Sequence, residues 1–423
     1  MSGADDSKLT RRQLVSGAGA LVAGGALGVA GCGSASPARP IPHVELGSQP
    51  SGLPARQHAW SATLPVDEFG NAVVPKYDRL LFFDVDGKPG LASVGLLEAA
   101  LRTLERRFRW APHGVLFTAG WGPDYFEHVL GVTSPIPKAK ALSDFELPTV
   151  DRYHLCLHLA CDNERALSDI EGALVHGESL PGADGPLDIS PALRWRETRT
   201  GFVGAGLPHA HQNVSGIPPG DPVPGGSPLF MGFKSGFAKN QATEDDVTIP
   251  TGPFADGTTQ HVSYMRLRLD SWYQNLSYPE RVQRMHSPQT TPDDVAHFTD
   301  NPPTHAAQLN QAIRADGVIG HAQTSAQARR NNRPVIIRRD FDTIDGGQAG
   351  LHFVAVQRTI EDFVRTRTAM NAASAQLQNP EIGSTVNNGI NEFIFVLKRA
   401  NYILPARAQR AFPLLPGREQ TLR

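Results

Sequence analysis

Cysteine, one-sided charge and long apolar runs are all scarce in this sequence. There are 3 cysteines among 423 residues, and the spacing of Cys156 and Cys161 fits neither a CxxC redox pair nor a zinc site. We therefore expect no disulfide framework and interpret both as ordinary buried or half-buried thiols. The formal net charge of −2 includes no basic surplus, which argues against nucleic acid or an anionic membrane surface as a partner.

The rest of the composition is typical of a large globular protein. Hydrophobic residues make up 40% and charged residues 19%, and the length allows one large domain or two ordinary ones. The 41 glycines and 34 prolines indicate long loops between well-formed elements. The fold class must therefore come from the periodicity of the segments between those loops.

The first 31 residues have the pattern of a targeting signal. Arg11 and Arg12 precede a small, weakly apolar run from Gly17 to Gly31, which is too short and too weakly hydrophobic for a convincing membrane span. An arginine pair before such a run is typical of a bacterial twin-arginine signal. Because this route moves proteins that are already folded, it favours a cofactor acquired before export.

The end of the apolar run predicts a lipid anchor. Val29-Ala30-Gly31-Cys32 looks like the cleavage box of bacterial lipoproteins, which would make Cys32 the first mature residue and the lipidation site. The neighbouring Ser34-Ala35-Ser36 leaves an Ala-x-Ala-type cleavage open. We expect an exported, extracytoplasmic protein anchored to the cell membrane. Residues 32–70, rich in Ser, Pro and Gly, are predicted to be a tether and an irregular lead-in.

Two stretches follow, at residues 71–200 and 201–423, in which strand and helix patterns alternate in a similar order. Each mixes alternating strand patterns with helix-period patterns, and the Gly/Pro-rich stretch Gly201–Pro228 separates them. The predicted fold class is α+β, with two ferredoxin-like modules whose antiparallel sheets are covered by helices, as in a dimeric α+β barrel. The predicted strands are Tyr77–Asp86, Val115–Ala119, Tyr153–Ala160, Leu193–Glu197, His261–Leu269, Val335–Arg338, Gly350–Gln357 and Asn391–Leu397, and the predicted helices are Gly95–Trp110, Asn163–Val175, His305–Ile313 and Thr359–Gln376.

Several segments have the character of motifs when they are taken in chain order. They are Gly120-Trp121-Gly122-Pro123 with Tyr125-Phe126, Tyr153–Asp162, Met231–Gly236, Gly257-Thr258 with Arg266–Trp272, and Gly320-His321 through Arg338-Arg339 to Gly350–Gln357. Together they resemble the motifs of the dye-decolourising peroxidases, the heme enzymes that include the exported deferrochelatase type. Their order and spacing are more specific than any one of them. The resemblance implies heme b as the cofactor, held in the second module, with hydrogen peroxide and a reducing substrate as partners.

The resemblance also implies two site residues, His321 and Arg339. Heme iron needs an axial donor, and neutral imidazole is the commonest one, so His321 is the predicted metal ligand, with His352 and His261 next in line. Arg339 is predicted to contact the heme and to act in catalysis, because a fixed guanidinium stabilises the negative charge that develops as the O–O bond of peroxide breaks. Arg338 is the nearest competitor for that role.

Position 235 departs from the family pattern. Ser235 stands within Gly232–Gly236 where the resembled family has its acid–base aspartate. A serine hydroxyl has no accessible pKa near neutrality and cannot do that work alone, although it can hydrogen-bond a bound water or oxygen. We expect heme binding with weak peroxidase activity that Ser235→Asp would raise, unless Glu244, Asp245 or Asp246 supplies a substitute carboxylate.

Two other functions stay open at this point. The pocket could be kept without turnover, in a heme- or iron-handling lipoprotein of the cell surface. Alternatively, Pro208-His209-Ala210-His211 has the HxH spacing of copper sites, in which alternate residues of an extended chain point the same way, and would suit a copper-dependent oxidase. A homo-oligomer is left open.

Overall fold

The first half of the folded chain is a ferredoxin-like module. The computed structural model describes residues 40–422. The strands of this module are β1 (Tyr77–Val85), β2 (Leu116–Trp121), the two-residue β3 (Thr149–Val150), β4 (Leu155–Cys161) and β5 (Leu193–Phe202), and its helices are α1 (Leu91–Arg107) and α2 (Glu164–His176). Four of the strands lie in the order β2-β4-β1-β5 with antiparallel pairing, and each helix connects two of them. This is the βαββαβ arrangement predicted from the sequence.

Local sequence explains the two helices of this module. Leu97, Leu101 and Leu104 recur along α1 with helix period and are fully buried against the sheet. The side chain of Asn163 accepts a hydrogen bond from the backbone N–H of Ala166 (3.3 Å) and caps the start of α2. Gly177, at φ 68°, ends α2 in the left-handed conformation that glycine adopts without steric cost.

The second module repeats the same strand order. Its strands are β6 (Thr258–Leu267), β7 (Ile336–Arg338), β8 (Phe341–Thr343), β9 (Gly350–Gln357) and β10 (Ile394–Leu404), and its helices are α3 (Leu207–Ala210), α4 (Glu244–Val247), α5 (Leu269–Gln274), α6 (Tyr278–Met285), α7 (Leu309–Gln311), α8 (His321–Ala326), α9 (Ile360–Ala369) and α10 (Ala373–Gln378). The order β8-β9-β6-β10 corresponds, strand for strand, to the order in the first module. The predicted duplication is therefore confirmed.

The two sheets join into a closed barrel. Phe202 of β5 pairs with Asp342 of β8, and Ile403 of β10 pairs with Trp121 of β2. The closed ring runs through β2, β4, β1, β5, β8, β9, β6 and β10, all antiparallel, while β7 pairs with β9 and β3 lies parallel to β10. The predicted α+β class is confirmed, and each of the two joins between the sheets is made by one residue pair.

One apolar cluster contains strand residues of both modules. It includes Phe82 of β1, Val262 of β6 and Val354 of β9. Cys156 belongs to this cluster and Cys161 to the core beneath α1 and α2, and neither forms a disulfide. Burial raises the pKa of both thiols, which keeps them protonated. The prediction of ordinary buried thiols is confirmed.

The module boundaries differ from those predicted. Trp60 is fully buried, and Gln57 donates from Nε2 to the backbone oxygen of Pro405 (2.8 Å), so this part of the lead-in packs on the fold and is not a tether. β5 continues past residue 200. After β10 the chain returns to the first module, where Trp121 donates from Nε1 to the backbone oxygen of Arg410 (2.7 Å).

Three elements also differ from the prediction. β8 was not predicted, because three residues are too few to show an alternating pattern. The helix predicted at His305–Ile313 is divided into a 3-10 turn, the single turn α7 and a π-helical turn. The helix predicted at Thr359–Gln376 is divided into α9 and α10 because Ala372, at φ 50°, takes the left-handed conformation.

The targeting predictions concern residues outside the described part of the chain. Arg11, Arg12 and Cys32, on which the signal and the lipid anchor depend, all precede residue 40. From residue 40 to residue 422, no helix combines the length and the apolar character needed to cross a membrane.

Candidate functional site

A cavity lies against the sheet of the second module, between the strands and the helices α8 and α9. Alternate residues of β6, namely Ser263, Met265 and Leu267, line one side, because successive side chains of a strand point to opposite faces. The cavity holds about 1490 Å³ of atom-free space, including its opening to solvent. Other apolar lining residues are Met231, Phe233, Leu351, Phe353, Ile394 and Val396. The lining therefore suits a mostly apolar ligand.

His321 is part of the cavity lining, at the start of α8. Burial lowers the pKa of its imidazole to about 3, and the nearby positive charge of Arg338 acts in the same direction. The ring is therefore neutral at ordinary pH, which is the form that coordinates a metal. Its Nδ1 atom is buried and has no hydrogen-bond partner among residues 40–422.

A second histidine of the lining, His286, was missed by the sequence analysis. It follows α6, packs edge-on against Phe233 (ring centroids 5.4 Å apart), and its Nε2 atom is buried without a partner within the described residues. Burial lowers its pKa to about 4. The backbone oxygen of His286 lies so close to Gly320 that a Cβ there would be 2.0 Å from it, which explains the glycine before His321. No local pattern in the sequence distinguishes His286 from a surface histidine.

The two histidines named as alternatives to His321 lie elsewhere. His352 is buried, with Nε2 3.2 Å from Oδ2 of Asp345. His261 lies between Asn401 and Ser263, at 2.7 Å from each. Neither lines the cavity, so His286 replaces them as the alternative ligand.

Three polar residues form a hydrogen-bonded cluster at the cavity wall. The hydroxyl of Ser235 donates to Oδ2 of Asp340 (2.6 Å). Arg338 donates from Nε to the hydroxyl oxygen of Ser235 (3.3 Å) and from Nη2 to its backbone oxygen (3.1 Å). Burial raises the pKa of Asp340 to about 6, although Arg338 and the hydrogen bond from Ser235 oppose the rise. The cluster thus combines a fixed positive charge with a carboxyl group that titrates near neutrality.

Arg339 does not belong to this cluster, so the predicted position of its side chain is wrong. It donates from Nη2 to the backbone oxygen of His58 (2.5 Å), and its guanidinium lies 3.7 Å from the centre of the Trp60 ring. The cavity lining includes Arg338 and Asp340 and omits Arg339. The reason is geometric, because consecutive residues of an extended segment point to opposite sides.

The substitute carboxylates considered from the sequence are also remote from the cavity lining. Glu244 accepts hydrogen bonds from the backbone N–H groups of Trp60 and Ser61, both at 2.7 Å. Asp245 pairs with Arg56 (2.5 Å), and Asp246 caps the start of α4. The carboxylate that reaches Ser235 is Asp340, which the sequence analysis treated only as a departure from glycine. Its position two residues after Arg338 was the signal that could have found it.

The HxH pair does not have copper-site geometry. His209 lies in the helical turn α3, where Nδ1 is 2.8 Å from the backbone oxygen of Val223. The ring of His211 packs on Phe202, with centroids 4.4 Å apart. The HxH spacing suits a copper site only where the chain is extended and alternate side chains point the same way. The helical turn at His209 does not meet this condition, so the copper alternative is not supported.

Solved structures of similar fold are DyP-type peroxidases. The enzyme from Cellulomonas bogoriensis is 17% identical, with 82% of this chain and 96% of that chain covered and a TM-score of 0.53. The encapsulated enzyme from Mycobacterium smegmatis is 16% identical, with 84% of this chain and 100% of that chain covered and a TM-score of 0.52. A DypB variant from Rhodococcus jostii RHA1, in complex with heme, is 11% identical, with 84% of this chain and 99% of that chain covered and a TM-score of 0.53. This chain therefore has the fold of the DyP-type peroxidases, which confirms the resemblance at the level of fold.

The sequence itself matches a family without an assigned role. Residues 75–406 match the family described as "Family of unknown function (DUF7405)", and this chain belongs to it. No curated protein matches the sequence. The function therefore has to be argued from the cavity and its polar residues.

Proposed function

We propose that this protein binds heme b in the cavity of the second module and uses hydrogen peroxide to oxidise a reducing substrate. The observation that carries the proposal is that one cavity is lined by the neutral imidazole of His321 together with Arg338, Ser235 and Asp340. The structure of the R. jostii DypB variant is a heme complex, which supports the choice of cofactor.

The residues of the cavity fit a heme. Its walls are mostly apolar, as a macrocycle requires, and a neutral imidazole is the commonest axial ligand in such pockets. A buried nitrogen without a partner, such as Nδ1 of His321, costs roughly 1–3 kcal/mol, which a bond formed on cofactor binding would offset. On these grounds we propose that His321 would hold the heme iron.

Arg338 and the apolar walls of the cavity have different roles in the proposed reaction. Bound heme supplies the iron that binds peroxide and the electrons that cleave its O–O bond. Arg338, held by two hydrogen bonds to Ser235, presents a permanent positive charge to the anion that develops, and so takes the role first assigned to Arg339. The apolar walls lower the local dielectric constant and so strengthen that charge interaction.

One observation favours a second candidate function, heme or iron handling without turnover. Ser235 occupies the position of the acid–base aspartate in the resembled family, and a hydroxyl alone cannot accept a proton near neutral pH. In this case His321 would still hold heme, while reaction with peroxide would be slow or absent.

A visible absorption spectrum of the purified protein, before and after incubation with hemin, tests the proposal. We expect a Soret band, and a rapid change of that band when hydrogen peroxide is added in a stopped-flow instrument. A Soret band that peroxide leaves unchanged would favour the second candidate. No Soret band after hemin addition would contradict both candidates.

We propose further that the protein is exported by the twin-arginine route and anchored through lipid on Cys32. The support is the pair Arg11-Arg12 before a weakly apolar run that ends in Val29-Ala30-Gly31-Cys32. Replacing both arginines by lysine is expected to leave the protein in the cytoplasm, and Cys32→Ser to release it from the membrane fraction. Cell fractionation with immunoblotting measures both effects, and unchanged fractions for both variants would contradict the assignment.

A further inference from the structure

We propose that Asp340, acting through the hydroxyl of Ser235, is the proton acceptor of the cavity and replaces the carboxylate that is missing at position 235. This inference rests on the proposed function, because the proton in question comes from a weak acid that binds as an anion in the heme cavity. It differs from the sequence-based expectation, in which Ser235 leaves the site without an acid–base group.

The geometry supports a relay of two side chains. The Ser235 hydroxyl already donates to Oδ2 of Asp340 at 2.6 Å and accepts from Nε of Arg338 at 3.3 Å, which leaves one lone pair to accept a proton from a ligand in the cavity. Both residues line the cavity. The other carboxylate oxygen, Oδ1, is buried and has no hydrogen-bond partner among residues 40–422. Asp340 therefore has unused capacity to accept a proton.

The surroundings of Asp340 keep the pKa of its carboxyl group close to neutral pH. Burial raises its pKa to about 6, and Arg338 limits the rise, so the carboxylate is ionised above that pH and protonated below it. Asp342, the other carboxyl of this wall, accepts a hydrogen bond from the backbone of Phe230 (2.5 Å), and burial raises its pKa well above the ordinary value. The hydroxyl of Ser235 donates to Asp340, so Asp340 is the base of the relay.

The remaining ionisable groups of the lining do not compete for the proton. On the neighbouring helices, His286 and His321 have lowered pKa values because they are buried, and both are neutral near pH 7. Arg367 of α9 and Arg399 of β10 share the carboxylate of Glu146. Lys234, beside Ser235, pairs with Asp67 (2.7 Å), and Arg329 donates to backbone and amide oxygens of residues 239 and 240.

The proposed step conserves atoms and charge. Hydrogen peroxide gives one proton to Oγ of Ser235, whose own proton passes to Asp340, leaving a hydroperoxide anion and a neutral carboxyl group. Arg338 faces the new anion with its fixed charge. Return of the proton by the same path to the outer oxygen would let that oxygen leave as water, for which bound heme would supply the two electrons.

Transferring the carboxylate between the two positions tests this inference. Asp340→Asn in the full heme-loaded chain is expected to lower the rate constant with peroxide by roughly 10²–10⁴-fold, the usual contribution of a positioned acid–base group. The double variant Ser235→Asp with Asp340→Asn returns the carboxylate to position 235 and is expected to recover most of the loss. Ser235→Asp alone should raise the rate constant by less than this recovery, because its two adjoining carboxyl groups, at positions 235 and 340, share a proton. Asp245→Asn, a matched change at an exposed carboxylate, should react like wild type.

A second measurement does not depend on activity. Cyanide binds ferric heme as the anion, so hydrogen cyanide must also lose a proton, and Asp340→Asn is expected to slow its binding, followed by the Soret shift. Without heme, an infrared difference between wild type and Asp340→Asn should show a carboxyl group titrating at about pH 6. If Asp340→Asn does not fold, Ser235→Ala takes its place. This variant removes the hydroxyl of the relay and is expected to slow the reactions with hydrogen peroxide and with cyanide.

The outcomes separate this inference from the proposed function. If wild type and Asp340→Asn both bind heme and react equally fast with peroxide and cyanide, Asp340 is not the proton acceptor, and the proposed function stands. If wild type binds no heme, the proposed function fails and this inference fails with it. A loss in Asp340→Asn that the double variant does not recover would overturn the relay through position 235.

Discussion

Replacing His321 by alanine is expected to abolish the Soret band of the hemin-treated protein. His321 lines the cavity as a neutral imidazole, since burial and the charge of Arg338 lower its pKa to about 3. If His321 holds the iron as proposed, the variant would lose that donor, and the apolar walls alone would hold heme weakly. The measurement is the absorption spectrum during hemin titration, with circular dichroism to show that the variant is folded.

The matched control for this experiment is His286→Ala. His286 lines the same cavity, is equally neutral and also has a buried ring nitrogen without a partner within the described residues. We expect this variant to keep the Soret band. If His286→Ala loses the band and His321→Ala keeps it, the axial ligand is His286. His352→Ala is a second control, because His352 lies outside the cavity lining, beside Asp345.

Arg338→Leu is expected to keep heme and to lower the rate constant with hydrogen peroxide by roughly 10²–10³-fold, the typical loss when one fixed electrostatic donor is removed from an active site. Arg338 is the arginine of the Arg338-Arg339 pair that lines the cavity, where it donates twice to Ser235. Stopped-flow absorbance at the Soret band measures the reaction. Arg338→Lys should recover only part of the rate, because lysine keeps the charge and loses the two-pronged donor geometry.

Arg339→Leu distinguishes the two arginines. Its guanidinium packs on Trp60 and donates to the backbone of His58, so the variant is expected to be less stable to heat. The folded protein should nevertheless react with peroxide at the wild-type rate. A large loss of rate in Arg339→Leu, with Arg338→Leu unaffected, would return the catalytic role to Arg339.

Periodicity was strong enough to predict most of the barrel. The segment of β1 is apolar over a length typical of a buried strand, and α1 carries leucines at helix spacing, so their types and approximate bounds follow from local sequence. β8 could not be predicted, since its three residues form a strand only through pairing with β5 and β9. The lead-in resembled a tether by composition, yet Trp60 is buried by contacts that are distant in sequence.

The candidate site divides in the same way. The resemblance pointed to His321, to the adjoining arginines and to the departure at Ser235, all of which are matters of residue type and order. Which arginine faces the cavity depends on the direction of one extended segment, and that direction is set when the segment pairs with β9. The carboxylate partner of Ser235 lies 105 residues further along the chain, at Asp340.

The sequence by itself therefore determined the fold class and the duplication, because the period of a segment is a local property, and the resemblance of its motifs supplied the candidate site residues. The tertiary structure decided the assignments within the cavity: Arg338 in place of Arg339, Asp340 in place of Glu244, and His286 as the second histidine. These depend on which side chains converge from strands and helices far apart in the chain. Burial, which determines whether a carboxyl group titrates near neutrality, exists only after that convergence.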